Sequence, residues 1–208
     1  MNRNIIVNKA NSYMEKTISA IINDYNSISP LPQGYKLRSS DNWCAAFVST
    51  IFWLSGYKDF PFECSVGRMV NKAISMQIWQ ENDAYTPNIG DCVVYDWNDN
   101  GKGDCTGWPD HIGIVTAVTG NSLVITEGNK SGRVALRFIH TKGRYIRGYI
   151  TPKFDSETTP SSNVDITAIA KDVIRGKYGV MPGRKTKIES LGVSYDLVRA
   201  EVNRLLKR

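Results

Sequence analysis

The strongest constraint on the fold is a change of period part-way along the chain. From residue 91 to 151 the apolar residues come in short runs, DCVVYDW, HIGIVTAV, SLVITEG, RVALRFIH and IRGYIT, separated by turns rich in Gly, Asn and Lys. That is the pattern of antiparallel strands joined by tight turns. Earlier in the chain, Ile6, Ala10, Tyr13, Met14, Ile18, Ile21, Ile22 and Tyr25 recur mostly at intervals of three and four, which predicts one amphipathic helix over 5–25. SISPLPQGYKL follows as a Pro/Gly-marked loop. Ser40 or Asp41 then offers an N-cap for a helix from Trp43 to Leu54, stopped by Ser55-Gly56, and a further helix is predicted over 66–77. Helices first and antiparallel sheet after make the chain α+β.

The chain of 208 residues has room for one domain with a satellite. Its 41% hydrophobic and 22% charged residues put it with globular rather than disordered proteins. No apolar run approaches the roughly 18 residues a membrane span needs. MNRNIIVNKANSYMEK has no long apolar stretch leading to a small-residue cleavage site, so synthesis without a signal peptide, in the cytoplasm, is expected. FDSETTPSSNVD, poor in apolar residues, marks a linker over 153–164, between a domain at 1–152 and a module at 165–208. In that module ITAIAKDVIRGKYG, GRKTKIESLG and YDLVRAEVNRLLK predict three short helices punctuated by glycines. The net charge of +6 is concentrated there: residues 165–208 hold ten Lys or Arg against five Asp or Glu, the first 164 sixteen against fifteen. Nucleic acid, an anionic membrane or a wall polymer would each satisfy a basic tail, and charge alone does not choose.

Four cysteines without C-x-x-C pairing and two histidines exclude zinc-finger spacing. In a reducing compartment disulfides are disfavoured, and Cys92 in its apolar run is expected to be a core thiol. Cys44 differs because it falls in the first turn of its predicted helix. There the helix's free N–H groups and a nearby imidazolium would both stabilise a thiolate. His111 opens a strand after Trp108-Pro109-Asp110, and ITEGN places Glu127 and Asn129 at the end of the next. Taken singly, a Cys beside Ala45, Ala46, Phe47 and Val48 packs as a small hydrophobe, and a lone strand histidine is often structural. Taken together they are the parts of a cysteine hydrolase: nucleophile, base and orienting groups. A three-residue loop over Gly120–Ser122 would put His111, Gly113, Val115 and Ala117 on one face with Leu123, Ile125, Glu127 and Asn129. A two-residue loop would reverse that, so the reading requires an odd loop or a bulge.

WCAAFVS with its aromatic helix, the DHIGIV strand and the E-G-N strand end resemble the CHAP family, the cysteine, histidine-dependent amidohydrolases and peptidases of phage endolysins and bacterial wall hydrolases. The likeness spans residues 30–152. It implies a papain-like fold, Cys44 as nucleophile, His111 as base and then acid, and Glu127 with Asn129 orienting the imidazole. The basic tail resembles the CW-seven wall-binding repeat, which implies a three-helix module that binds the muropeptide unit, with Lys177, Tyr178, Gly179 and Arg184 as candidate contacts. The two resemblances point to peptidoglycan as partner, rather than nucleic acid or membrane. They imply an endolysin released from the host cytoplasm through a holin. A single repeat, where the family often carries several, points to homo-oligomerisation as the route to affinity.

DWNDNGKGDCTG also places Asp96, Asn98, Asn100, Lys102 and Asp104 near the positions of an EF-hand loop, a candidate Ca²⁺ site, although Gly107 stands where a closing glutamate belongs. The competing reading is a solvated Asn/Gly turn. The sequence is also compatible with two rival functions: a non-catalytic wall-binding or adaptor protein, indifferent to loss of Cys44, and a nucleic-acid binder with steeply salt-dependent affinity.

Overall fold

The computed structural model describes residues 2–82, 84–154, 165–189, 191, 193 and 195–206. The chain divides into two units, Met1–Glu157 and Thr158–Arg208. In the first, helices α1 (Arg3–Asn11), α2 (Ile18–Asn26), α3 (Cys44–Leu54) and α4 (Val66–Ser75) precede strands β1 (Trp79–Gln80), β2 (Cys92–Tyr95), β3 (His111–Thr119), β4 (Ser122–Lys130), β5 (Arg133–His140) and β6 (Ile146–Ile150). The strands form one antiparallel sheet in the order β1-β6-β2-β3-β4-β5. This is the α+β layout that the change of period predicts.

Helix α3 sets the centre of the unit. Its residues Cys44 to Phe52 are all buried, as a helix without a polar face requires. Trp43, Phe47, Ile51 and Phe52 share one core with Ile112 and Ile114 of β3. The other face of the sheet carries a second core of Val93, Tyr95, Val115, Leu123, Ile125 and Tyr149. Helix α1 is tied to the sheet by Arg3, whose guanidinium pairs with buried Asp91 at 2.7 Å.

The predicted helix over 5–25 is two helices. The chain leaves the helix after Asn11 and turns through Glu15 at φ 65°. Residues 15–17 then lie along β5, where Glu15 N–H donates to Val134 O, Val134 N–H donates to Lys16 O, and Thr17 bridges Arg133. A strand at the sheet edge leaves backbone groups unpaired, and this segment covers some of them, which periodicity could not foresee. The cap of α3 also differs. Asp41 accepts from Arg38 N–H and Tyr35 O–H, and Trp43 occupies the cap position without a capping side chain.

The β3–β4 turn is two residues, not three, since Thr119 pairs with Ser122. A bulge between Val115 and Ala117 restores the register, so Val115 faces Ile125 while Ala117 faces Val124. Thr116 is the inserted residue, its hydroxyl bonded to Val124 O and within 3.1 Å of Thr126 Oγ1. Ala117 therefore leaves the face that carries His111, and Val118 packs there instead. A second bulge, between Glu127 and Lys130, takes Asn129 out of strict alternation with Glu127.

The second unit holds α5 (Ile166–Ile174), α6 (Gly183–Glu189) and α7 (Tyr195–Leu206) around Ile166, Ile169, Ala170, Val173, Ile188 and Val198, the three helices predicted. Glu201 locks α7 to α5, accepting from Thr167 Oγ1 at 2.9 Å and from Arg204 at 2.6 and 2.7 Å. Lys153 and Phe154, expected in the linker, pack on the first unit instead: Tyr57 O–H donates to Lys153 O and Arg3 lies 4.4 Å above the Phe154 ring. Residues 155–164 of the expected linker lie outside the described residues.

Candidate active site

Cys44 is the first residue of α3 and 7% exposed. The N–H groups of a first helical turn have no partner within the helix, and here no capping side chain takes them. Helix α3 comes close to β4 because residue 128 is glycine. A Cβ there would stand 2.4 Å from Phe47 Cβ and 2.9 Å from the Trp43 ring. Gly128→Ala is therefore expected to lose about 1–3 kcal/mol of stability and to push Cys44 away from the sheet, read as a lower melting temperature together with lost wall lysis.

His111 opens β3 opposite Tyr95 of β2. Asp110 fixes this entry, its N–H donating to Tyr95 O at 2.8 Å and its carboxylate accepting from Trp97 N–H at 2.9 Å. His111 Nε2 sits 3.2 Å from Glu127 Oε2, leaving Nδ1 for the thiol. Gly113 makes room for that pair, since a Cβ on it would meet Glu127 Cγ at 2.6 Å. Burial alone would pull the imidazole's pKa down. Hydrogen bonds and charge from Cys44 and Glu127 outweigh it and push the value from 6.5 up to about 9.

Glu127 has no exposed side-chain surface and serves two cations. Its other oxygen accepts from Arg137 Nε at 2.6 Å. Burial would raise its pKa, but His111 and Arg137 hold it below the usual carboxylate value. Arg137 also lies 4.8 Å above the Trp97 ring, which stacks on Tyr95 at 4.6 Å, and both rings flank the imidazole at 5.9 Å. Sequence reading missed Arg137, Tyr95 and Trp97. The available signal was a lone cation inside the apolar run RVALRFIH, diagonal to Glu127 across the β4–β5 pair.

Cys44, His111 and Glu127 are thus brought together. Asn129 borders the same cleft, but the partner of its amide is Asn42 Oδ1 at 3.3 Å, not the imidazole. The candidate calcium donors do not assemble. Asp96 Oδ1, Asp99 Oδ2 and Asn100 Oδ1 each accept from the backbone N–H two residues on, and Asp96 Oδ2 is packed against Gly107. Asp104 and Lys102 face solvent, and Arg144 reaches in to Asp99 O at 2.7 Å. Among the described residues no three His, Cys, Asp or Glu side chains converge on a cation site. The loop closes on its own backbone.

Comparison with protein families matches residues 34–129 to the CHAP domain and residues 167–206 to the CW_7 repeat. The chain carries a CHAP domain followed by a CW_7 repeat. No curated protein matches it. The CHAP match begins ten residues before Cys44 and ends on Asn129, so it encloses all four residues singled out in the sequence. The papain-like fold expected of that domain is the one found, and the domain indicates a cysteine, histidine-dependent amidohydrolase or peptidase acting on peptidoglycan. In the repeat, Lys177 pairs with Asp172 at 2.6 Å and lies near Tyr178, while Arg184 donates to Gly179 O at 2.7 Å. All four candidate contacts lie in or beside the turn between α5 and α6.

Proposed function

We propose that the protein is an endolysin that cuts an amide of bacterial peptidoglycan, either the muramoyl-alanine bond or a peptide bond of the stem or cross-bridge. The observation that supports this is Cys44 lying against an imidazole whose far nitrogen is held by a buried carboxylate. In this reading Cys44 attacks the carbonyl carbon as a thiolate, its proton already resident on His111. Negative charge on the carbonyl oxygen is met by the uncapped N-terminus of α3, with Cys44 N–H as first donor. Collapse breaks the C–N bond, and the amine leaves with the proton from His111. Water then attacks the thioester, giving its proton to His111, and the C–S bond breaks to restore the Cys44 thiolate beside the protonated ring. Glu127 orients the ring and balances its charge, and Arg137 holds that carboxylate from behind.

The CW_7 repeat would hold the enzyme to muropeptide units, with self-association supplying the avidity of tandem repeats. Synthesis in the host cytoplasm and release through a holin belong to the same proposal. Mass spectrometry of fragments released from Gram-positive walls tests it: new amino termini identify the bond, whereas walls bound but uncut would leave a binding protein. Co-sedimentation with DNA at rising salt tests the nucleic-acid alternative. Because the loop oxygens are already engaged, lysis rates in EDTA are expected to equal those in added Ca²⁺. A loss in EDTA that Ca²⁺ restores would show that the loop binds the ion.

A further inference from the structure

The cleft beside the imidazole has a volume of about 430 Å³ and is lined by Trp97, His111, Asn129, Lys130, Ser131 and Arg137. Three of these side chains carry or acquire positive charge, and one carboxylate, Glu127, answers two of them. Lys130 is the third. It is half-buried and has neither an ion pair nor a side-chain hydrogen bond among the described residues. Its stem is partly covered, and its positive charge is the one at this cleft that no carboxylate among the described residues pairs with.

The backbone is arranged to put it there. Successive residues of a strand point to opposite faces, yet Asn129, Lys130 and Ser131 all line one cleft. The bulge between Glu127 and Lys130 and left-handed conformations at Asn129 (φ 57°) and Ser131 (φ 55°) make this possible. Ser131 with Gly132 (φ 78°) forms the two-residue turn that closes Lys130 on Arg133, so the bulge at Asn129 is what re-aims the strand end toward the cleft.

We propose that Lys130 is a specificity-determining residue that binds a carboxylate of the substrate close to the amide being cut. The preferred substrate is then an acidic wall peptide with a free carboxylate, over the same peptide with that group amidated. This rests on the amidohydrolase reading above. A substrate carboxylate would supply the anion that the cleft lacks, in a charge-assisted hydrogen bond.

The test uses the full chain and two synthetic wall peptides that differ only in one carboxylate converted to carboxamide, each carboxylate of the peptide being varied in turn. The wild-type protein is expected to favour one free carboxylate by about tenfold in kcat/KM. Lys130→Met should raise KM for that peptide and bring the ratio toward one. Lys130→Arg should keep the preference, and added salt should reduce it in the wild type. Equal cleavage of all peptides by the wild type, or a preference that survives Lys130→Met, would overturn the assignment. So would an equal loss on both peptides in Lys130→Met, which would make the residue a structural one. Cleavage of neither peptides nor whole walls by the wild type would instead remove the amidohydrolase reading, and this proposal with it.

Discussion

Cys44→Ala is expected to lower wall lysis by about 10⁴-fold or more, because the residue supplies the atom that becomes covalently attached to the substrate. Stability should hardly change. The exchange removes one sulfur from a nearly buried position and one of the two partners of His111, but it keeps a good helix former at the start of α3 and leaves the imidazole paired with Glu127, so a shift within about 1 kcal/mol is expected. Circular dichroism and thermal melting beside a turbidity assay separate the two effects. Cys92 and Cys105 are buried, but Cys64 is partly exposed and could be alkylated independently of Cys44. Iodoacetamide inactivation is therefore best followed in a Cys64→Ala background. In that background, one equivalent of label should abolish lysis and map to residue 44. Lysis that persists after alkylation or after Cys44→Ala would identify a wall-binding protein with an inert thiol.

The parts of this site that could be read from sequence are those whose role is local. A cysteine in the first turn of an apolar helix, an imidazole opening a strand and a carboxylate closing the next are each visible in a few residues, as is the alternation that separates helices from sheet. The bulge was foreseeable only as a requirement: Thr116 had to be inserted, or a loop residue added, for His111 and Glu127 to share a face, and the chain uses the bulge. Arg137 was not legible, because its meeting with Glu127 depends on the β4–β5 register and on side-chain reach across a diagonal. The break at Ser12–Thr17 was missed for a similar reason. Its cause is the uncovered edge of β5, far along the sequence. The calcium-like loop shows the opposite limit of reading by spacing. Its spacing imitates a ligand set, but in three places a side-chain oxygen accepts from the N–H two residues on, which is how Asp and Asn close turns on their own.

Glu127→Gln tests whether the buried carboxylate sets the protonation of His111. With Cys44 and Glu127 in place the imidazole titrates at about 9, so the protonated ring needed to deliver a proton to the leaving amine persists well above neutral pH, and the alkaline limb of kcat should fall near that value. The groups facing the ring are Cys44 on α3, Glu127 on β4, and Tyr95 and Trp97 at the end of β2 and beyond. Arg137 on β5 lies behind the carboxylate. Removing the negative charge leaves Cys44 as the remaining raising influence against burial, so the limb should move to lower pH, with a fall in kcat/KM of about 10²–10⁴-fold. Stability follows the same sign. A folded pKa raised from 6.5 to about 9 means that His111 contributes fully below 6.5 and loses that contribution as pH rises through about 9. Glu127, held below its ordinary 4.5, contributes above that value and loses its contribution as pH falls through its lower folded pKa. The substitution also strands the Arg137 guanidinium, and breaking a buried pair from one side costs about 3–5 kcal/mol. The double variant Glu127→Gln/Arg137→Met removes the stranded charge and should regain much of the melting temperature without regaining activity. If lysis returned with stability, Glu127 would be a packing residue. If the alkaline limb of Glu127→Gln stayed near 9, the carboxylate would not be what keeps His111 charged.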